Sequence, residues 1–390
     1  MSKLMHAFRK LGKGALVFCS LLLGLFILGT FWPQLIIFGQ VGTIATSFWN
    51  LHVLILAVIF AIISVVLLRK NSTWLNKSLV VLNGLTILGS GALLGNQIQT
   101  AHQYDTQINW GQYLSGQVDM GTPNEKQSVI YTRQGGKTLK LQVTMPKKKA
   151  KSYKPVFMIH GGGYMAGSRN QQPSWVNYYQ SKGYVVFDVD YHLASKSQHP
   201  WKQAPTDIAL AIQYVQQRAA KYHVNMDKMV IAGSSAGGGI ALQTAYGISD
   251  DTISVKGLPT PKAVVAIYPG SDPYALWHGN SSLLGMKGNI CDKYYIGGSP
   301  DQYPERYAQV SPSRHITRNT PATLIVAGKN DHVIPYQGQQ EFAQQLSRKN
   351  VAHKLVTLPY SDHFFDMAGG SVGSQIARQQ ATNFLNKHNR

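Results

Sequence analysis

The chain reads as two physically different stretches: three apolar helices able to cross a membrane, then an α/β domain with a mostly parallel sheet covered by helices on both faces. Three observations predict this. Residues 1–104 contain no Asp or Glu, so all 17 acidic residues lie from Asp105 onward. Three long uncharged runs fall inside that acid-free stretch. From about residue 123, short apolar runs alternate with segments of helical spacing, the pattern of strands joined by crossover helices.

The membrane region, 1–96, is expected to hold spans at about 15–38, 47–68 and 78–95. Each run is free of charge, and the first two are long enough to cross ~30 Å of hydrocarbon at ~1.5 Å per residue. Gly89, Ser90 and Gly91 in the third would permit close helix packing. Lys3, Arg9, Lys10 and Lys13 precede the first run as they would in a signal peptide. Its apolar core is too long for one, however, and Phe31, Trp32 and Pro33 lead on without a small-residue cleavage site. Positive residues favour the cytoplasmic side. Four precede the first run, and Arg69, Lys70 and Lys77 lie between the second and third. None falls in 39–46 or between the third run and Lys126. A multi-pass cell-membrane protein is therefore expected, with its N-terminus cytoplasmic and the domain after the spans on the extracytoplasmic side.

Residues 97–122 are polar and read as a tether, leaving 123–390 as one domain. Ser128–Thr132 and Thr138–Met145 alternate as strands around Gln134-Gly135-Gly136-Lys137, a hairpin signal. Residues 156–159, 184–189, 229–232, 263–268, 323–327 and 354–358 read as buried strands. Residues 204–222, 236–246, 337–348 and 375–386 carry helical spacing.

With 37 Lys and Arg against 17 Asp and Glu, the chain carries +20. The positive residues are scattered apart from the run Lys147–Lys151, and no nucleic-acid motif accompanies them, so no nucleic-acid partner is expected. The charge suits attraction to an anionic surface, or simple solubility. The only cysteines, Cys19 and Cys291, cannot form a metal cluster, and the position of Cys19 in an apolar run argues against a disulfide.

Gly233-Ser234-Ser235-Ala236-Gly237 has the form G-x-S-x-G between an apolar strand and a helix. A sharp turn there needs small neighbours and leaves the serine hydroxyl exposed at the strand end, over a helix N-terminus. His160-Gly161-Gly162-Gly163 ends an earlier strand. Glycines let backbone N–H groups approach an oxygen on which charge develops. The oxyanion donors are therefore expected to be Gly162, Gly163 and Ala236. Asp331, in Gly328-Lys329-Asn330-Asp331, follows the strand at 323–327, and His363, in Ser361-Asp362-His363-Phe364, follows the next. Acid and base after the serine, in that order, complete a catalytic set of Ser235, Asp331 and His363. His160 is a rival base, read here as a loop brace. Asp362 and Asp366 are read as surface or loop carboxylates, His332 as pointing away, and His315 and His353 as surface histidines.

These motifs resemble the hormone-sensitive-lipase-like branch of the α/β-hydrolase superfamily, including the bacterial esterases called BD-FAE. Residues Val189–Ala194, His199-Pro200-Trp201, Pro205, Asp207 and Ser311-Pro312 match that family's pattern as well. Two residues depart from it: Ser234 stands where many members have Asp, and His192 where Arg is usual. The resemblance implies an α/β-hydrolase fold and a serine ester hydrolase with no cofactor or metal. Its partners would be a small-molecule or glycan ester and the lipid bilayer. An acyltransferase using the same acyl-enzyme and a lipase acting on membrane esters are the alternatives. Residues 269–321 would cover part of the pocket, with Trp277, Tyr294 and Tyr295 as lining or as packing.

Overall fold

A computed structural model of the chain describes residues 2–35, 37–279, 281–283 and 285–389. By packing, the chain divides into two compact units. One comprises residues 1–118 with 358–376, the other residues 119–357 with 377–390.

The first unit contains α1 (Ser2–Phe31), α2 (Phe38–Lys70), α3 (Trp74–Gln103) and α4 (Trp110–Ser115). Residues 11–31 of α1, together with α2 and α3, are long and apolar enough to cross a membrane. The run expected to continue to residue 38 stops at Phe31. Pro33 removes a backbone donor and pushes the residue before it out of the helical region. Helix α2 has 33 residues, roughly 50 Å of helix against ~30 Å of hydrocarbon. It kinks at Trp49, where φ −132° and ψ 25° leave the helical basin. After the kink it is almost purely apolar. Before it come small and polar residues, among which Gly39, Gly42, Thr43, Thr46 and Ser47 are buried.

The kink has its own hydrogen-bond partners. The Leu51 amide donates to the Tyr113 hydroxyl (3.3 Å), which donates to Gln97 Oε1 (3.2 Å). Trp49 Nε1 donates to the Gly116 carbonyl at 3.0 Å. Within the segment read as a tether, α3 runs on to Gln103, and α4 starts at an Asn109 cap that accepts from the Gln112 amide.

Inside this unit the usual arrangement of a water-soluble bundle is inverted. Thr30 and Thr46 share a hydroxyl pair at 2.9 Å, Asn50 Nδ2 donates to the Ser90 carbonyl, and Asn83 Nδ2 donates to Ser64 Oγ. Meanwhile Phe18, Ile62 and Leu88 are 60–72% exposed. Polar and small residues between helices with large apolar ones outside is the packing logic of helices in lipid.

The second unit is built on an eight-stranded sheet. In chain order its elements are β1 (Ser128–Gln134), β2 (Lys137–Thr144), β3 (Lys154–Ile159), α5 (Pro173–Ser181), β4 (Tyr184–Val189), α6 (Gln203–Gln216) and α7 (Ala219–Tyr222). There follow β5 (Val230–Ser234), α8 (Ala236–Ser249), β6 (Ala263–Ile267), α9 (Pro273–His278), a two-residue pair β7 (Ser282–Leu283) and β8 (Met286–Lys287), α10 (Gly288–Ile296) and α11 (Pro304–Val310). The last are β9 (Ala322–Gly328), α12 (Tyr336–Arg348), β10 (His353–Leu358) and α13 (Val372–His388). The sheet order is β1-β2-β4-β3-β5-β6-β9-β10. Strands β4, β3, β5, β6 and β9 are parallel, and the hairpin β1–β2 joins β4 antiparallel.

Strands β4, β5 and β6 are buried throughout, as continuous Val, Ile and Ala runs require in a sheet covered on both faces. Each of the expected strands is present within a residue or two. The helix expected at 204–222 breaks after Gln216, and α5, only nine residues long, escaped the sequence reading.

Candidate active site

Because β3, β5, β6 and β9 are parallel, the loops after them leave the sheet at the same edge. His160–Gly163 follows β3, Ser235 follows β5 and Asp331 lies just beyond β9. His363 lies in the segment after β10 that packs as part of the first unit.

Ser235 sits between β5 and α8 with φ 56° and ψ −125°. A residue with a Cβ pays about 1–3 kcal/mol for such a conformation, so its surroundings must enforce it. The Ser235 amide donates to the Ile267 carbonyl at 2.9 Å. Its own carbonyl accepts from the Gly239 amide at 3.0 Å and the Gly270 amide at 3.3 Å. A Cβ at Gly237 would lie 2.2 Å from the Ile159 carbonyl oxygen and 2.4 Å from that of His160. No side chain fits there, so α8 can begin only with glycine at that position. Ala236 is the first residue of α8, where the N–H has no acceptor within the helix.

The loop after β3 lies against this turn. A methyl group added to Gly161 would stand 3.3 Å from Ser235 Cβ. Gly162 has φ 115°, and its carbonyl accepts from the Met165 and Ala166 amides. A Cβ on Gly162 would lie 2.1 Å from the Ala166 carbonyl oxygen. The backbone therefore doubles back beside the serine, and Gly163 and Tyr164 continue it with φ 59° and 66°. Such a place can hold an oxyanion.

His160 braces the loop. Its Nδ1–H donates to the Gly161 carbonyl at 2.8 Å. Its ring stacks on Tyr191 at 4.4 Å, and the Tyr191 hydroxyl donates to the His160 carbonyl. Burial holds its pKa below the ordinary value. Tyr164 is propped by Tyr295, their rings stacked at 3.9 Å, and the Tyr295 hydroxyl donates to Gln243 Oε1. Tyr295 is thus a packing residue, as is Trp277, which lies edge-on to Tyr307.

Both departures from the family pattern have partners. Ser234 Oγ donates to Gln172 Oε1 at 2.8 Å. His192 donates twice to Asp207 Oδ2, through its amide (2.9 Å) and through Nδ1 (2.8 Å), and both residues are buried. Burial raises the Asp207 carboxyl above its ordinary range, opposed by its bonds to His192.

Asp331 Oδ1 accepts from the Val333 and Ile334 amides, both at 2.8 Å, which fixes its rotamer at the mouth of the loop. Asp362 and Asp366, read from the sequence as surface or loop carboxylates, are buried with at most 1% exposure. His363 is buried too, and its amide donates to Asp362 Oδ1 at 2.7 Å. Nor is His315 a bare surface histidine: its Nδ1 meets Asp250 Oδ2 at 2.6 Å. Gln172, Tyr164 and Asp188 carried no sequence signal. Tyr191 did, as part of the Asp190-Tyr191-His192 match, but without a role.

The BD-FAE family model matches residues 141–346, just over half of the chain. Esterase LipC of Mycobacterium tuberculosis is 28% identical over 257 residues, covering 63% of this chain and 60% of that protein. LipM of the same organism, a probable carboxylic ester hydrolase, is 23% identical over 57% of this chain and 52% of its own. An acetyl esterase of Salmonella paratyphi B is 25% identical over 53% of this chain and 62% of its own. The chain therefore spans less than two thirds of the length of these relatives. Among solved structures, the apo form of Thermogutta terrifontis esterase 2 superposes with a TM-score of 0.54. It is 24% identical and covers 68% of this chain and 96% of its own. That likeness is one of fold, the α/β-hydrolase fold.

The segment that follows the β3 loop is held from β4. The Arg169 amide donates to Asp190 Oδ1 and the Asn170 amide to Asp188 Oδ2. Burial raises the Asp188 pKa from 3.8 to about 7. The folded chain thus keeps this proton over a range where the unfolded chain has lost it. The resulting stabilisation is complete below about pH 4 and disappears as pH rises through 7. Asp188→Asn should flatten that part of the pH dependence. Denaturation midpoints of the detergent-solubilised protein between pH 4.5 and 8 check this, and parallel curves for variant and wild type would refute it.

Proposed function

The chain belongs to the BD-FAE family, and from that membership we propose a membrane-anchored serine ester hydrolase with Ser235 as nucleophile, His363 as general base and Asp331 as the acid that orients it. The observation that carries the proposal is the strained turn at Ser235, backed by the glycine loop after β3. A protein rarely keeps such a conformation without use for it.

The reaction runs in two balanced halves. Ser235 Oγ bonds to the ester carbonyl carbon as its proton passes to His363. The N–H groups of Gly162, Gly163 and Ala236 take the charge on the carbonyl oxygen. The C–O bond to the alcohol then breaks, and the departing oxygen takes the proton from His363. Water repeats the sequence on the acyl-enzyme, releasing the carboxylic acid and restoring Ser235.

Anchoring is supported by the three apolar helices and their exposed Leu, Ile and Phe. The distribution of positive residues around them supports a cytoplasmic N-terminus and a hydrolase on the outside. For substrate, the reading is a short acyl group, acetyl to butyryl, on a polar alcohol such as a sugar or wall polymer. An acetyl esterase among the relatives and the Gly-rich, polar sequence of residues 269–321 support it. The basic charge would draw such an enzyme to an anionic polymer.

Three experiments test these assignments. Ser235→Ala should lower ester hydrolysis by about three orders of magnitude or more with the fold intact, and a fluorophosphonate should label Ser235 in the wild type only. Labelling at Ser234, or full activity in the variant, would refute the nucleophile. Among p-nitrophenyl esters, kcat/KM should be highest from acetyl to butyryl. A steady rise through octanoyl to lauroyl would indicate a lipase. Protease added to spheroplasts should remove the hydrolase and spare the N-terminal tail; a protected hydrolase would reverse the orientation.

A further inference from the structure

We propose that two residues of α2 ahead of its kink, Thr43 and Ser47, are positioning residues for catalysis, which clamp Asp362 and so set the backbone that carries His363. The proposal rests on His363 being the catalytic base. It concerns how that base is held.

The clamp lies wholly within the first unit. The Thr43 hydroxyl donates to Asp362 Oδ2, across 319 residues of sequence. The Asp362 amide donates to Ser47 Oγ at 3.1 Å, and the Ser47 hydroxyl donates in turn to the Thr43 carbonyl at 2.6 Å. Asp362 Oδ1 accepts from the His363 amide. One buried aspartate, through its carboxylate to Thr43 and its amide to Ser47, thus joins two side chains of α2 to the backbone of the histidine. Thr43 Oγ1 also lies near the Gly39 and Gln40 carbonyls. Its hydroxyl has a single proton to give, and of these three oxygens Asp362 Oδ2 is the one that ties α2 to the segment carrying His363.

Two further ties hold the same segment. Gln375 Oε1 accepts from the Asn109 amide at 2.6 Å while Gln375 Nε2 donates to the Asn109 carbonyl, and Val118 pairs with Ala368 in an antiparallel bridge. Residues 358–376 therefore pack as a component of the helical unit. The length of α2 makes this possible. Some 20 residues suffice to span hydrocarbon, and the stretch after Trp49 supplies them, leaving residues 38–48 free for another task.

A small displacement of a general base costs up to about 100-fold in rate. In the full-length, detergent-solubilised protein, Thr43→Val keeps the shape and removes the donor. It should lower kcat between about 10- and 100-fold with KM unchanged, and slow fluorophosphonate labelling of Ser235 in proportion. Thr43→Ser should restore both. Thr46→Val, whose hydroxyl meets Thr30 instead, should leave kcat as in the wild type. His363→Ala separates this proposal from the reading beneath it. If His363→Ala abolishes activity while Thr43→Val leaves kcat unchanged, the clamp is refuted and the triad stands. If His363→Ala retains activity, both fall. A loss in Thr43→Val that Thr43→Ser does not rescue, or an equal loss in Thr46→Val, would mark α2 as structural only and overturn the proposal.

Discussion

A serine held at φ 56° between a strand and a helix sets the terms for the hydrolase unit. That conformation persists only because its neighbours are committed to it. The Ile267 carbonyl takes the serine amide, and the Gly239 and Gly270 amides take its carbonyl. Gly237 lets α8 start within 2.4 Å, as a Cβ would be placed, of two carbonyl oxygens at the end of β3. Each of these requirements fixes a neighbouring strand: β3 must end where Gly237 passes, and β6 must end where Ile267 can accept. The buried strands and the almost fully buried helix α8 follow from the need to hold one turn still.

Much of this unit was legible from sequence because its signals are local. Uninterrupted Val, Ile and Ala runs announce strands buried on both faces. Gly-x-Ser-x-Gly and His-Gly-Gly-Gly announce backbone shapes that other residues cannot adopt. What stayed hidden depends on contacts between distant residues. Tyr164 and Tyr295 are 131 positions apart, and nothing in either neighbourhood foretells that their rings stack. Ser234 looked like a departure until Gln172, from the start of α5, supplied its partner. His192, where arginine is usual, is tied to Asp207, 15 positions on.

In the helical unit the limits were of another kind. Hydropathy detects what lipid would see, so it located the apolar length after Trp49 and missed the polar beginning of α2. The end of the first helix was misplaced because apolar residues on both sides of Pro33 masked a stop that proline imposes. Asp362 was misjudged for the same reason: an acid beside a histidine in a loop reads as solvent-facing unless its partners are known. Here they lie more than 300 residues earlier.

Residues 358–376 leave the sheet after β10 yet are packed among the N-terminal helices, and α13 begins there before returning to the hydrolase unit. Thr43, Ser47, Asn109 and Val118 come from residues 1–118, and their counterparts Asp362, Gln375 and Ala368 from 358–376. A cut near residue 118 would therefore strip a buried aspartate, a glutamine amide pair and a bridge of their counterparts, so the first unit is closed only once the last quarter of the chain has been made.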